Sequence, residues 1–238
     1  MNESILDLVN RVEPQAPAAL RIDVFADFVC PWSFIGQHRL DEALASVFGP
    51  VQVSWHPFQL NPDMPDEGMA LEEYLRVKFG DPETLQPALD QLTRLGASEG
   101  LDLRFDRIER VPSTRPAHGL MKLAETEGCQ ADLAAHLYRA FFTEGEDVGR
   151  RDVLVEIARR VGLPRDATER QLDDQRVDRI VLAEETEARK AGVTGVPDFM
   201  INKRLFVVGA QSQATLLAAF DRAMFGEDSD RPVSGTVH

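Results

Sequence analysis

The 238 residues contain two cysteines, Cys30 and Cys129, and the first has a setting suited to nucleophilic chemistry. Cys30 lies within Asp27-Phe28-Val29-Cys30-Pro31-Trp32-Ser33-Phe34-Ile35-Gly36, after a mostly apolar run over 24–29 and before a helix-like pattern through Leu40, Leu44 and Val47. A cysteine at a strand-to-helix junction meets unpaired backbone N–H groups and the positive end of the helix dipole. That environment favours the thiolate, which is the reacting form. Pro31 fits the first helical turn, where its missing N–H is no loss. The spacing is that of C-x-x-C with Ser33 in the second position, so the stretch is expected to present one sulfur. The competing reading of the tetrapeptide alone is a buried, inert thiol.

Other candidate groups are fewer. Cys129 follows Gly128 at a helix junction, nothing places it near Cys30, and it reads as a small buried side chain. His118 sits in Ser113-Thr114-Arg115-Pro116-Ala117-His118, in the first turn of a helix that Ser113 or Thr114 should cap. There it either lines the active cleft or fills the core of its helical block. His56 between Trp55 and Pro57 reads as a strand-end residue, and His38 and His136 as helix positions. No His/Cys/Asp spacing resembles a metal site, and there is no P-loop or G-x-G-x-x-G. Trp32, Phe34, Phe58 and Met200 are expected to form an apolar rim around the sulfur.

Bulk properties exclude some functions. With 40 acidic against 26 basic residues the net charge is -14, the wrong sign for a nucleic-acid partner. No apolar run approaches the ~20 residues of a membrane span. Met1-Asn2-Glu3-Ser4-Ile5-Leu6 lacks the basic start and apolar core of a signal peptide, so a cytoplasmic protein with no membrane partner is expected. In that compartment a C-x-x-C-like site is catalytic more often than structural.

The elements that must hold Cys30 follow from periodicity. A strand over 21–26 precedes it, a helix to about 47 follows, and Phe48-Gly49-Pro50 stops that helix. Residues 51–56 alternate with period two. Two strands joined by a helix form a right-handed parallel unit, which sets Cys30 at the carboxyl end of its strand, where open α/β sheets bind ligands. Helices are then expected over 71–79, 82–99, 115–127, 131–142, 151–161, 167–172 and 177–190, with strand-like composition only at 101–105. Residues 192–209 read as a hairpin turning at Asn202-Lys203, and a last helix runs over 212–225. The expected class is α/β, with a discontinuous sheet domain of residues 21–62 and 185–225 and a helical insertion of residues 63–184. An N-terminal arm (1–20, with a linker at Pro14-Gln15-Ala16-Pro17) and a loose polar tail (226–238) flank it. Amphipathic helices and the arm permit a homodimer.

Four stretches in this order resemble the DsbA family of the thioredoxin fold, and within it the FrnE-like dithiol-disulfide isomerase/oxidoreductase branch. They are residues 27–36, Pro57-Phe58-Gln59-Leu60-Asn61-Pro62, residues 113–118, and Gly192-Val193-Thr194-Gly195-Val196-Pro197-Asp198-Phe199, completed by Gly209-Ala210-Gln211. The resemblance implies a thioredoxin-like fold with a large all-helical insertion, and a cis Val196–Pro197 bond whose loop faces the nucleophile. It implies Cys30 and Ser33 as catalytic residues, with Pro31, Trp32, Phe34, Val196, Pro197 and His118 meeting the substrate. The departure is Ser33. Family members with two cysteines use the second to resolve the mixed disulfide, so a net dithiol oxidase working through this motif alone is excluded. A monothiol oxidoreductase or isomerase route remains, with no bound cofactor. The partner is a protein or low-molecular-weight disulfide, and glutathione or the substrate's own thiol releases Cys30. Ser33 is expected to hydrogen-bond the thiolate and lower its pKa. The alternatives are a glutathione-dependent transferase or isomerase of the kappa-class or 2-hydroxychromene-2-carboxylate isomerase type, which carry serine at the nucleophile position, and a degenerate binding member.

Overall fold

A computed structural model describes residues 20–80 and 82–226 of the chain; the arm and tail expected from sequence fall outside these, apart from Leu20 and Gly226. In chain order the elements are β1 (Leu20–Ala26), α1 (Pro31–Leu44), β2 (Val51–Pro57), β3 (Met69–Ala70), α2 (Leu71–Phe79), α3 (Gln86–Ser98), β4 (Arg110–Val111), α4 (Arg115–Glu127), α5 (Gln130–Arg139), α6 (Arg151–Arg160), α7 (Arg165–Asp173), α8 (Gln175–Lys190), β5 (Asp198–Ile201), β6 (Leu205–Val208) and α9 (Gln213–Phe225).

The main sheet has the order β2-β1-β5-β6. β1 pairs parallel with β2 and antiparallel with β5, and β5–β6 is the hairpin. The fold is therefore the expected thioredoxin-like α/β sheet, with helices between β2 and β5. At the hairpin turn Asn202 and Lys203 both have positive φ, 49° and 58°, the two central left-handed residues of a tight turn closed by Arg204 N donating to Ile201 O at 3.0 Å. The Asn202 side chain secures that turn, accepting from Arg21 N at 2.8 Å and donating to Ala223 O at 3.1 Å.

Alternation along the strands divides the core. Ile22, Val24, Phe199, Ile201 and Val207 pack with Ile35 and Leu40 of α1 and Leu216 and Phe220 of α9. Phe25, one residue out of phase, joins Phe58, Ala188 and Val193 in a second cluster against which Val196, Met200 and Phe206 rest. The β2 edge is protected from further pairing by one side chain: buried Gln130 of α5 accepts from Trp55 N (3.1 Å) and donates to Trp55 O (3.3 Å). A covered edge offers no template for another chain.

Several local expectations are corrected. The helix after Cys30 ends at Leu44, with Ala45 as its C-cap. Residues 82–99 divide into a 3-10 turn (Pro82–Leu85) and α3. The helix expected to reach Phe142 changes at Arg139 into a π turn over Ala140–Glu144. Residues 101–105 are not a strand; the insertion's one strand pair among the described residues is β3 with β4. Neither hydroxyl caps α4: Thr114 holds the N-cap position with helical φ and ψ and makes no capping hydrogen bond. By contrast Ser212 caps α9, accepting from Thr215 N at 3.2 Å. Among the described residues no helix is long and apolar enough to cross a membrane.

Candidate active site

The apolar β1 run ends at Ala26, and a tight turn closed by Cys30 N donating to Asp27 O (3.1 Å) delivers the cysteine to the start of α1. Cys30 takes the N-cap position with extended backbone, and Pro31 follows in the first turn. The backbone N–H of Ser33 and Phe34 donate to Cys30 O at 3.0 and 3.3 Å. The thiol is 4% exposed and donates to the Val196 carbonyl at 3.5 Å. The Val196–Pro197 peptide is cis, as the resemblance implied, and 166 positions of sequence close onto one sulfur–oxygen contact. Gly36 lets this loop seat: a Cβ there would stand 2.7 Å from Pro197 Cγ and 3.3 Å from Phe199 Cζ. A methyl group so close to a proline ring would push the loop off α1.

The ionisation expected from sequence is corrected. Burial pushes the Cys30 thiol above its ordinary value, and the nearby Asp27 carboxylate adds to that; the Ser33 hydroxyl and the backbone N–H groups of Ser33 and Trp32 favour the thiolate but do not prevail. The helix terminus is present, yet desolvation of a nearly inaccessible sulfur outweighs it.

Around the sulfur the other expected residues separate. Ser33 is 1% exposed, with its hydroxyl unpaired in the resting structure. Trp32 is 37% exposed and is the side chain of the tetrapeptide open to a partner. Phe34 is core, stacked on Tyr138 and Phe142 at 5.4 and 5.8 Å. Phe58 and Met200 belong to the second cluster, and the Arg189 guanidinium lies 4.1 Å over the Phe58 ring. The apolar rim therefore reduces to Trp32: the other three aromatic and methionine side chains satisfy the core first.

His118 is buried, tilted against Phe28 at 4.9 Å, and its Nε2 lies 3.4 Å from Asp27 Oδ1. It meets the carboxylate beside the cysteine rather than a substrate cleft. The other Asp27 oxygen accepts from Leu60 N at 2.7 Å, so one fully buried carboxylate joins the active turn, the loop after β2 and α4. His56 pairs with Asp23 at 2.9 Å; His38 lies beside Glu42, and His136 contacts Asp132 O. Cys129 is a free, half-buried thiol at the N-cap of α5. Among the described residues no group of three or more His, Cys, Asp or Glu side chains could hold a metal.

Sequence reasoning passed over Asp27, Tyr138 and Asp198. Asp27 is a charge inside an apolar run, Tyr138 sits among ordinary helical core positions, and Asp198 directly follows the Val196-Pro197 motif. Asp198, directly after Pro197, is 3% exposed with Oδ1 unpaired, and burial raises its carboxyl from 3.8 to about 7. Between those values the folded protein holds a proton that the unfolded chain has released, so this group makes stability fall as pH rises from about 4 to 7. Asp198→Asn, which has no charge to desolvate, is expected to flatten that decline. Urea unfolding at pH 4.5 and 8 reads it, and equal slopes in the two proteins would refute it.

A model of the DSBA-like thioredoxin domain family matches residues 21–221. The crystal structure of a probable DsbA oxidoreductase from Streptomyces coelicolor is similar at TM-score 0.79 and 30% identity, covering 91% of this chain and 94% of that one. The 2-hydroxychromene-2-carboxylate isomerase has the same fold at TM-score 0.65 and 18% identity, with 85% and 95% covered. So does the cytosolic disulfide reductase DsbM from Pseudomonas aeruginosa, solved with GSH, at TM-score 0.59 and 21% identity over 86% and 95%.

Proposed function

The chain belongs to the DSBA-like thioredoxin domain family of thiol oxidoreductases, and we propose that it exchanges thiols and disulfides through one sulfur, that of Cys30. The observation that carries this reading is the Cys30 thiol at the head of α1, 3.5 Å from the carbonyl of Val196 in the cis-proline loop. The four matched stretches support membership of the FrnE-like branch.

In the first step the Cys30 thiolate attacks one sulfur of a disulfide R–S–S–R′. The S–S bond breaks, Cys30–S–S–R forms, and R′–S⁻ departs and takes up a proton. Ser33 supplies no second thiol, so release is intermolecular: a glutathione thiolate attacks the R sulfur, G–S–S–R forms, and Cys30 leaves as the thiolate. A further glutathione then reduces G–S–S–R, so that two thiols supply the two electrons; for an isomerase, the substrate's own thiol takes the place of glutathione. Val196 presents backbone to an extended substrate, with Trp32 and Pro31 beside it, while Phe34 and His118 act from within the core. The helix N-terminus and the Ser33 hydroxyl favour negative charge on the sulfur whenever it is generated. This reading sets the protein in the cytoplasm, where glutathione keeps thiols reduced, and the GSH-bound fold relative makes glutathione the first co-substrate to try.

The test is turnover of a small mixed disulfide with reduced glutathione, coupled to glutathione reductase. Protein-dependent consumption that vanishes with Cys30→Ser is the expected result. Conjugation or isomerisation of an aromatic electrophile by glutathione that survives in Cys30→Ser would instead establish the transferase/isomerase alternative.

A further inference from the structure

Tyr138 of α5 is completely buried, and its ring lies among those of Phe28, Phe34 and Trp55, with centroids 5.2, 5.4 and 6.5 Å away. Phe28 and Phe34 bracket Cys30 in the chain, so this packing brings the phenol beneath the reacting turn. Its hydroxyl has no hydrogen-bond partner, and neither has that of Ser33. Unpaired buried hydroxyls are costly and rare, and Phe with Ala would pack the same space without that cost. Ser33 directly precedes Phe34, on whose ring Tyr138 stacks at 5.4 Å, and Ser33 favours the charged form of Tyr138 on one side and of Cys30 on the other.

We infer that Tyr138 is a positioning residue for the nucleophile: its hydroxyl donates to Ser33, turns the Ser33 O–H toward Cys30, and so favours the thiolate both in attack and in release. The inference rests on Cys30 being the reacting sulfur. Burial, together with the nearby Cys30 and Asp27, holds Tyr138 as a neutral O–H, which keeps it a donor. A hydroxyl donates more strongly to a charged acceptor than to a neutral one, so the Ser33 O–H engages when the sulfur ionises and its oxygen is then the acceptor for the Tyr138 O–H. The other titratable groups around the sulfur are Asp27, which opposes ionisation, His118 of α4 held on Asp27, and Asp198 beside the proline loop.

The experiment is the rate of Cys30 alkylation by iodoacetamide against pH, in full-length protein carrying Cys129→Ser. Tyr138→Phe is expected to raise the midpoint by about one pH unit, a roughly tenfold loss of thiolate below it. Ser33→Ala should raise it by a similar amount, and the double variant no further than Ser33→Ala alone, because Tyr138 acts through Ser33. A Tyr138→Phe midpoint within about 0.3 unit of the parent, or additive shifts in the double variant, would overturn the inference. Should Tyr138→Phe fail to fold, Ser33→Thr, which keeps a hydroxyl, must hold the parent midpoint while Ser33→Ala raises it; equal midpoints refute the relay. Alkylation needs no disulfide substrate. An unshifted midpoint with turnover intact removes only the role of Tyr138, whereas a shifted midpoint without turnover removes only the exchange reading.

Discussion

Cys30→Ser is expected to lower disulfide-exchange turnover by roughly three orders of magnitude or more, the scale on which removal of a sole covalent nucleophile acts. Serine keeps the size of the side chain and a donor toward Val196 O, so the loop contact at 3.5 Å survives and the fold should unfold at nearly the same urea concentration. What is lost is the capacity to form a disulfide. Cys129, the other free thiol, stands at the start of a different helix. The glutathione-coupled assay checks this; residual turnover above about a tenth of the parent rate would show that the sulfur of Cys30 is not the reacting atom.

The second large effect falls on stability. Asp27→Ala is expected to cost about 2–5 kcal/mol, because it strands two donors, one buried and one partly buried, at about 1–3 kcal/mol each. Those donors are Leu60 N, at 2.7 Å, and His118, at 3.4 Å. Asp27 and His118 are 0% and 3% exposed, so water does not replace the lost acceptor. Asp27→Asn keeps one carbonyl oxygen and should cost less than half as much. That variant also removes the charge that opposes Cys30 ionisation, so its alkylation midpoint should fall. Denaturant unfolding of both variants tests the pairing, and a loss below about 1 kcal/mol for Asp27→Ala would mean that the two donors find other partners.

Much of the fold was legible because its signals are local. The apolar run of β1, alternation in β2, Pro31 after Cys30, and the Asn202-Lys203 turn each follow from backbone preference or period. The π turn at Ala140–Glu144 has no such signature, since it depends on how Phe141 and Phe142 pack against the rest of the core. Site chemistry was legible only in part. The sequence places Cys30 at a helix start, and the dipole argument then points to an activated thiolate. How deeply the sulfur is covered depends on distant residues such as Val196, whose carbonyl it meets, and that burial reverses the direction. Aromatic residues near a motif mislead for the same reason: Phe34 and Phe58 were expected at a rim, but each has a core place that removes more apolar surface from water. Asp27 and Tyr138 matter through partners 91 positions along the chain or on another helix, and no window of sequence displays such pairs.

The most direct test of single-sulfur exchange is to incubate the protein with oxidised glutathione and map the adducts by peptide mass spectrometry. Glutathione on Cys30, removed by added reduced glutathione and missing in Cys30→Ser, is the predicted result. An unmodified Cys30 while Cys129 carries the adduct, or an adduct on Cys30 that reduced glutathione cannot release, would contradict it.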